Sequence, residues 1–182
     1  MTINSGFVIA CICYTVIGSA ACSGAGERNR STAGTAAGVG SRLNAGPLQL
    51  LDGGSRPLVT PSHRATVLAF WATWCQYCKE EIPRLSRIQA GEGLEGIEVV
   101  GVNAGEGPRR IRTFLEDNPM PYPVAVDPGQ KLMDRFGIQA VPAVVMIDRE
   151  GTIKFIGDRL PDDPNGLEAT LSAVLNAQDG IR

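Results

Sequence analysis

Apolar and polar positions divide this 182-residue chain into three regimes. From Phe7 to Ala21 the run FVIACICYTVIGSAA carries no charge. Residues 23–45 are Gly, Ala, Ser and Thr with a few charges and almost no large apolar side chain. From 46 to 178, apolar runs alternate with amphipathic segments and turn signals over a length sufficient for one packed domain, followed by a short tail at 179–182.

Within 46–178, LQLLDGGSRPLV holds two short apolar runs around Asp52-Gly53-Gly54, a β-hairpin signal. Thr66 to Trp71 is a continuous apolar strand of the kind buried on both faces. From Cys75 to about Gln89, the spacing of Ile82, Leu85 and Ile88 predicts an amphipathic helix, with a kink expected at Pro83. Ile97–Val102 reads as a second buried strand, and Pro108–Asp117 as a helix with proline in its first turn. A strand over Tyr122–Val126 and a helix over Gly129–Phe136, closed by Gly137, come next. Ala143–Ile147, an Asp148–Gly151 turn, Thr152–Ile156 and a helix over Leu167–Ala177 complete the series. Strands alternating with helices, then a hairpin and a helix, predict an α/β fold with a mixed sheet covered on both faces.

The first regime is an address rather than part of the fold. Fifteen uncharged residues suit the apolar core of a secretory signal better than a bilayer span, which wants about twenty. Ser19-Ala20-Ala21 permits cleavage before Cys22. The same residues resemble the lipobox of bacterial lipoproteins, which would make Cys22 a lipidation site and the new N-terminus, although Ser19 stands where that pattern usually has Leu and residues 1–6 carry no Lys or Arg. Lipoprotein signal, plain secretory signal and uncleaved anchor all place the remaining chain outside the cytoplasm, in a periplasmic or equivalent compartment. Residues 23–45 then read as a flexible tether with a reach on the order of 25 Å.

Composition changes this picture little. Seventeen basic and nineteen acidic residues give a net charge of −2, without the basic surplus a nucleic-acid partner requires. The five cysteines, at 11, 13, 22, 75 and 78, are more informative: an odd total suggests a spare thiol, yet only Cys75 and Cys78 lie beyond the N-terminal segment. His63, in a polar Ser-His-Arg stretch, reads as a loop residue, and Arg109, Arg110 and Arg112 as a solvated helix start.

Trp74-Cys75-Gln76-Tyr77-Cys78 sits where a buried strand gives way to a helix. A cysteine at a helix N-terminus faces unpaired N–H groups that favour its thiolate. Cys-x-x-Cys spacing lets the second thiol resolve a mixed disulfide formed by the first. Cys75, nearer the helix start, is expected to be the more exposed nucleophile, and Cys78, one turn in, the buried resolving thiol. Two other readings stand beside this. Half a zinc site would need two more ligands, where the folded part offers only His63 and carboxylates. An inert structural disulfide would close so short a loop that it gains little, which favours redox work.

Ala72-Thr-Trp-Cys-Gln-Tyr-Cys-Lys-Glu-Glu-Ile-Pro83, with Asp127-Pro-Gly-Gln, Phe136-Gly-Ile-Gln-Ala-Val-Pro142 and Val145–Gly151, resembles the thioredoxin-fold TlpA/ResA-like extracytoplasmic thiol:disulfide oxidoreductases over about 48–176. The resemblance implies a thioredoxin-like fold with a helix and strand inserted between 108 and 126. It implies a cis-proline at Pro142 beside the active disulfide, with Val141 offering its backbone to a substrate chain. It also implies that Glu81 handles the proton of the resolving thiol; the alternative for Glu81 is a surface carboxylate paired with Arg84 or Lys79. Trp74, Gln76, Tyr77, Val141 and Pro142 form the expected substrate surface, while Trp71 belongs to the core.

No cofactor beyond the Cys75–Cys78 disulfide, and no metal, is expected. Gln76-Tyr77 lacks the histidine of strongly oxidising relatives, which leans toward a reductant. The implied partners are disulfide-containing extracytoplasmic proteins, among them apocytochrome c in cytochrome c maturation, and a membrane thiol-relay electron donor. A disulfide-forming oxidant of the same fold and a Cu(I)-handling thiol chaperone are the alternatives, the latter without a Met- or His-rich tract.

Overall fold

The turn at Asp52-Gly53-Gly54 forms as predicted. It joins β1 (Leu48–Gln49) to β2 (Ser55–Arg56), with Leu48 opposite Arg56. Gly53 adopts φ 95°, a conformation that glycine enters without steric cost. The computed structural model describes residues 36–43, 46–91, 95–161 and 163–176, all within one compact unit. The apolar segment 7–21, Cys22, residues 23–35 of the expected tether and the 179–182 tail lie outside the described residues.

Five strands build the central sheet. β3 (Ala65–Trp71) is buried at every position, as its unbroken apolar run requires. It leads into α1 (Gln76–Gln89), then β4 (Ile97–Ala104) and α2 (Pro108–Asp117). β5 (Val124–Asp127) and α3 (Lys131–Phe136) follow, then β6 (Ala143–Asp148), β7 (Ile153–Gly157) and α4 (Pro164–Asn176). The strand order is β5-β4-β3-β6-β7. β4 and β5 run parallel to β3, whereas β6 pairs antiparallel with β3 and β7 antiparallel with β6. The register Trp71↔Asn103 brings the ends of β3 and β4 together, so the segments leaving them start as neighbours.

Side chains alternate across the sheet as a period of two requires. Leu68 and Phe70 pack on one face with Val100, Val145, Met133 and Phe136. Val67 and Ala69 pack on the other with Leu85 and Ile88 of α1 and Leu171 and Val174 of α4. Each large side chain buried in this way contributes roughly 1.5–3 kcal/mol.

Two expectations are corrected here. The buried stripe of α1 is Cys78, Glu81, Leu85 and Ile88, with Ile82 only half-buried. Counting helical turns from Cys78 turns Glu81 inward. Pro83 sits on the exposed side and α1 continues beyond it to Gln89. In addition, the chain is held against the domain well before residue 46. Gly40 N–H donates to Ile153 O (2.8 Å), Ile153 N–H to Ser41 O (2.9 Å) and Ala37 N–H to Arg135 O (2.7 Å). The flexible-tether reading therefore fails for 36–43, because backbone hydrogen bonding to a strand edge needs no apolar side chains. At the opposite edge, Leu51 N–H donates to Val124 O (2.9 Å). Both sheet edges thus carry additional chain, which blunts edge-to-edge association.

Candidate active site

β3 delivers the chain to α1 through Ala72-Thr73-Trp74. Cys75 is the N-cap of α1, at φ −84° and ψ 106°, and its sulfur accepts from the Cys78 N–H at 3.2 Å. The two cysteines form a disulfide with their Cα atoms 5.3 Å apart. Once reduced, a sulfur at this N-cap faces the first-turn N–H groups, which favour its thiolate.

The expected difference in exposure is absent: Cys75 is 4% and Cys78 5% exposed. The cap side chain folds back onto the first turn and packs with Trp71, Ala72 and Ile111. What separates the two sulfurs is their surroundings. Cys75 lies between the exposed Trp74 (67%) and Tyr77 (59%) in sequence, whereas Cys78 lines a small cavity. Trp71, by contrast, is buried and packs on Phe114 with ring centres 5.1 Å apart and planes tilted by 39°. Gln76 is exposed, and the Arg159 guanidinium lies over the Tyr77 ring at 5.6 Å. The Val141–Pro142 peptide is cis. Val141 packs against the cysteine cluster, and Pro142 shares the cavity wall with Cys78.

That cavity, about 20 Å³, is bounded by Cys78, Glu81, Trp71, Tyr122 and Pro142. Glu81 is buried and is not the surface carboxylate of the alternative reading, although Arg84 does approach Oε1 at 3.8 Å. Lys79 turns elsewhere, with Nζ 5.4 Å from the centre of the Phe114 ring. Burial, reinforced by the negative charge of Glu81, pushes the Tyr122 phenol well above its ordinary range, so it stays protonated beside the carboxylate.

Glu106, in the loop after β4, is a residue that sequence reasoning missed. Its carboxylate accepts from the Thr73 backbone N–H (2.7 Å), the Thr73 hydroxyl (2.6 Å) and the Asn103 amide (2.8 Å). Arg110 Nε lies 3.0 Å from Oε1 and donates to the Thr73 hydroxyl oxygen at 2.9 Å. Burial alone would raise the Glu106 carboxyl. The hydrogen bonds from the Thr73 hydroxyl, Asn103 and the Thr73 backbone, with the Arg110 charge, outweigh it and hold the group below the usual glutamate range. A single acid in a Gly-Glu-Gly-Pro loop carries no local sign of this role.

The remaining candidates lie apart from the disulfide or act structurally. Arg112 donates to Leu51 O at 2.7 Å and Arg109 is exposed. His63 stands 3.5 Å from Glu98, near the other end of β3. Among the described residues, no cluster of three or more His, Cys, Asp or Glu side chains is arranged to hold a metal ion.

The sequence profile of the AhpC/TSA family matches residues 45–156. The thiol-disulfide oxidoreductase ResA of Geobacillus thermodenitrificans is 29% identical over 128 residues, 70% of this chain and 74% of that protein. ResA of Bacillus thuringiensis is 27% identical over 118 residues, 64% of this chain and 68% of that protein. Among solved structures, one described as a thiol:disulfide interchange protein DsbE from Chlorobium tepidum aligns with a TM-score of 0.67 at 28% identity. It covers 77% of this chain and 99% of that one.

Proposed function

Because the chain belongs to the AhpC/TSA family and is a thiol:disulfide oxidoreductase of the ResA/DsbE type, we propose that it reduces disulfides of extracytoplasmic proteins through Cys75 and Cys78. The observation that carries this reading is the disulfide at the N-cap of α1, with its second sulfur on the same cavity wall as Glu81.

In the reaction, the Cys75 thiolate attacks a substrate disulfide. One substrate sulfur leaves as a thiolate and the other is held in a mixed disulfide with Cys75. Cys78 passes its proton to the Glu81 carboxylate and attacks the Cys75 sulfur, releasing the second substrate thiolate. The Cys75–Cys78 disulfide that remains has given two electrons to the substrate, and a membrane thiol-relay donor restores them. Trp74, Gln76 and Tyr77 form one side of the substrate surface and Val141 and Pro142 the other. Zinc and copper have no part in this scheme, which uses only the paired thiols.

The reducing direction rests on Gln76-Tyr77, which places no histidine between the cysteines. Apocytochrome c, whose Cys-x-x-Cys-His segment must be reduced before haem attachment, is the proposed substrate. The Phe7–Ala21 segment and Cys22 hold the domain at the outer face of a membrane as a lipoprotein. Among the described residues, no helix is long and apolar enough to cross a membrane.

The test is a substrate trap in cells. Cys78→Ser should accumulate mixed disulfides through Cys75, and Cys75→Ser should accumulate none; undiminished turnover by Cys75→Ser would overturn the scheme. The direction is read from the reduction potential against glutathione. A value near −270 mV supports the reductant and one near −120 mV the oxidant.

A further inference from the structure

Arg84 lies one turn beyond Glu81 on α1 and is tied to a different part of the chain. Its Nη1 donates to the carbonyl oxygen of Leu160, after β7, at 3.1 Å. Leu160 is fully buried, so that carbonyl is a fixed anchor. The same Nη1 is 3.8 Å from Glu81 Oε1, with the side chains 13% and 11% exposed. This is an ion-pair distance, at which the guanidinium places a positive charge beside the carboxylate.

We propose that Arg84 is a positioning residue for the disulfide chemistry. Anchored by Leu160, its guanidinium keeps Glu81 in the charged form that accepts the Cys78 proton, and thereby sets how acidic the medium can become before resolution of the mixed disulfide slows. The inference rests on the role proposed for Glu81 above.

The surroundings of Glu81 make this charge matter. From α1 itself come Cys78 and Arg84, and from the segment before β5 comes Tyr122, held protonated by burial and by Glu81. β3 and β6 present only uncharged residues to the cavity. A carboxyl group against such apolar walls is driven toward its neutral form, and a neutral Glu81 cannot take a proton. An opposite charge at this distance works against that.

Stopped-flow mixing of the reduced full-length chain with an aromatic nitrobenzoate disulfide separates the two steps. Attack by Cys75 releases one coloured thiolate and leaves the other aryl group on Cys75. Attack by Cys78 on the Cys75 sulfur releases the second. At reagent concentrations that make the first release fast, the second phase is followed from pH 4 to 9, about the range over which carboxylates and thiols titrate. Wild type should slow on the acid side. Arg84→Gln, which removes the charge and keeps a polar side chain, should move that acid limb upward by about one pH unit, and Arg84→Lys should restore it. In Glu81→Gln the limb should vanish, and adding Arg84→Gln should change nothing further. If Arg84→Gln superimposes on wild type while Glu81→Gln removes the limb, Arg84 has no such role and that of Glu81 survives. If Glu81→Gln keeps the limb, both fail. A lowered Tm for Arg84→Gln with an unmoved limb also overturns the inference, since it marks a purely structural arginine.

Discussion

Glu106 grips Thr73 with both carboxylate oxygens, one on the backbone N–H at 2.7 Å and one on the hydroxyl at 2.6 Å. Thr73 is two residues before Cys75, so the loop after β4 holds the approach to the proposed nucleophile. Three hydrogen-bond donors, two from Thr73 and one from Asn103, converge with the Arg110 charge on this one buried group. Glu106→Ala strands them and should cost about 2–3 kcal/mol in urea unfolding. It should also slow Cys75 attack, because the loop loses its fixed position.

The same network has a pH signature. A carboxyl group held below its ordinary range in the folded state adds stability above the unfolded glutamate value, and that stability is lost as pH falls through the lower folded value. Wild type should therefore exceed Glu106→Gln in stability near neutrality, and the gap should close below about pH 4. Denaturant midpoints for both proteins from pH 7 to 3 measure it; a gap that widens in acid contradicts the assignment.

Gly101 is a spacing requirement in β4. A Cβ there would lie 3.1 Å from Trp71 Nε1 and 3.2 Å from Tyr122 Cε2. Gly101→Ala should cost about 1–3 kcal/mol through overpacking, and Gly101→Val more. Because Trp71 and Tyr122 are walls of the cavity beside Cys78, the second thiolate release should also slow. Thermal unfolding and the two-phase assay read these together.

Trp74, at 67% exposure, contributes little to the core. Trp74→Ala should change stability by no more than about 0.5 kcal/mol. It should raise KM several-fold for a folded disulfide substrate, since a flat apolar contact beside the attacking sulfur is lost. An unchanged KM would remove Trp74 from the substrate surface.

Asp127 serves a purely structural role at α3. Its Oδ2 accepts from the backbone N–H groups of Leu132 (2.9 Å) and Met133 (3.1 Å), while the N-cap Gln130 makes no side-chain capping bond. Asp127→Ala should cost about 1–2 kcal/mol, seen as a drop of several degrees in Tm.

Much of this molecule is written locally. The unbroken apolar run of β3, the proline in the first turn of α2, the glycine that closes α3 and the turn at Asp148–Gly151 all appear where short-range patterning placed them. The position of the cysteine pair at a strand-to-helix junction was equally legible, because it depends on neighbours within a few residues. Glu81 was reached through family resemblance. Periodicity judged by apolar side chains alone turns Ile82 inward, where the structure buries Glu81.

What the sequence determined by itself, then, is the order of elements, the chemistry of the Cys75–Cys78 pair and its place at the start of a helix. Tertiary structure alone decided which distant groups serve that pair. Glu106 reaches Thr73 across 33 residues because β3 and β4 end side by side, and Arg84 reaches Leu160 across 76 because β7 returns the chain to α1. Residues 36–43 join the sheet edge through backbone atoms that every sequence possesses. Hydrophobic period and local caps are encoded within a few residues, whereas a hydrogen bond between distant side chains exists only once the strands have set their register.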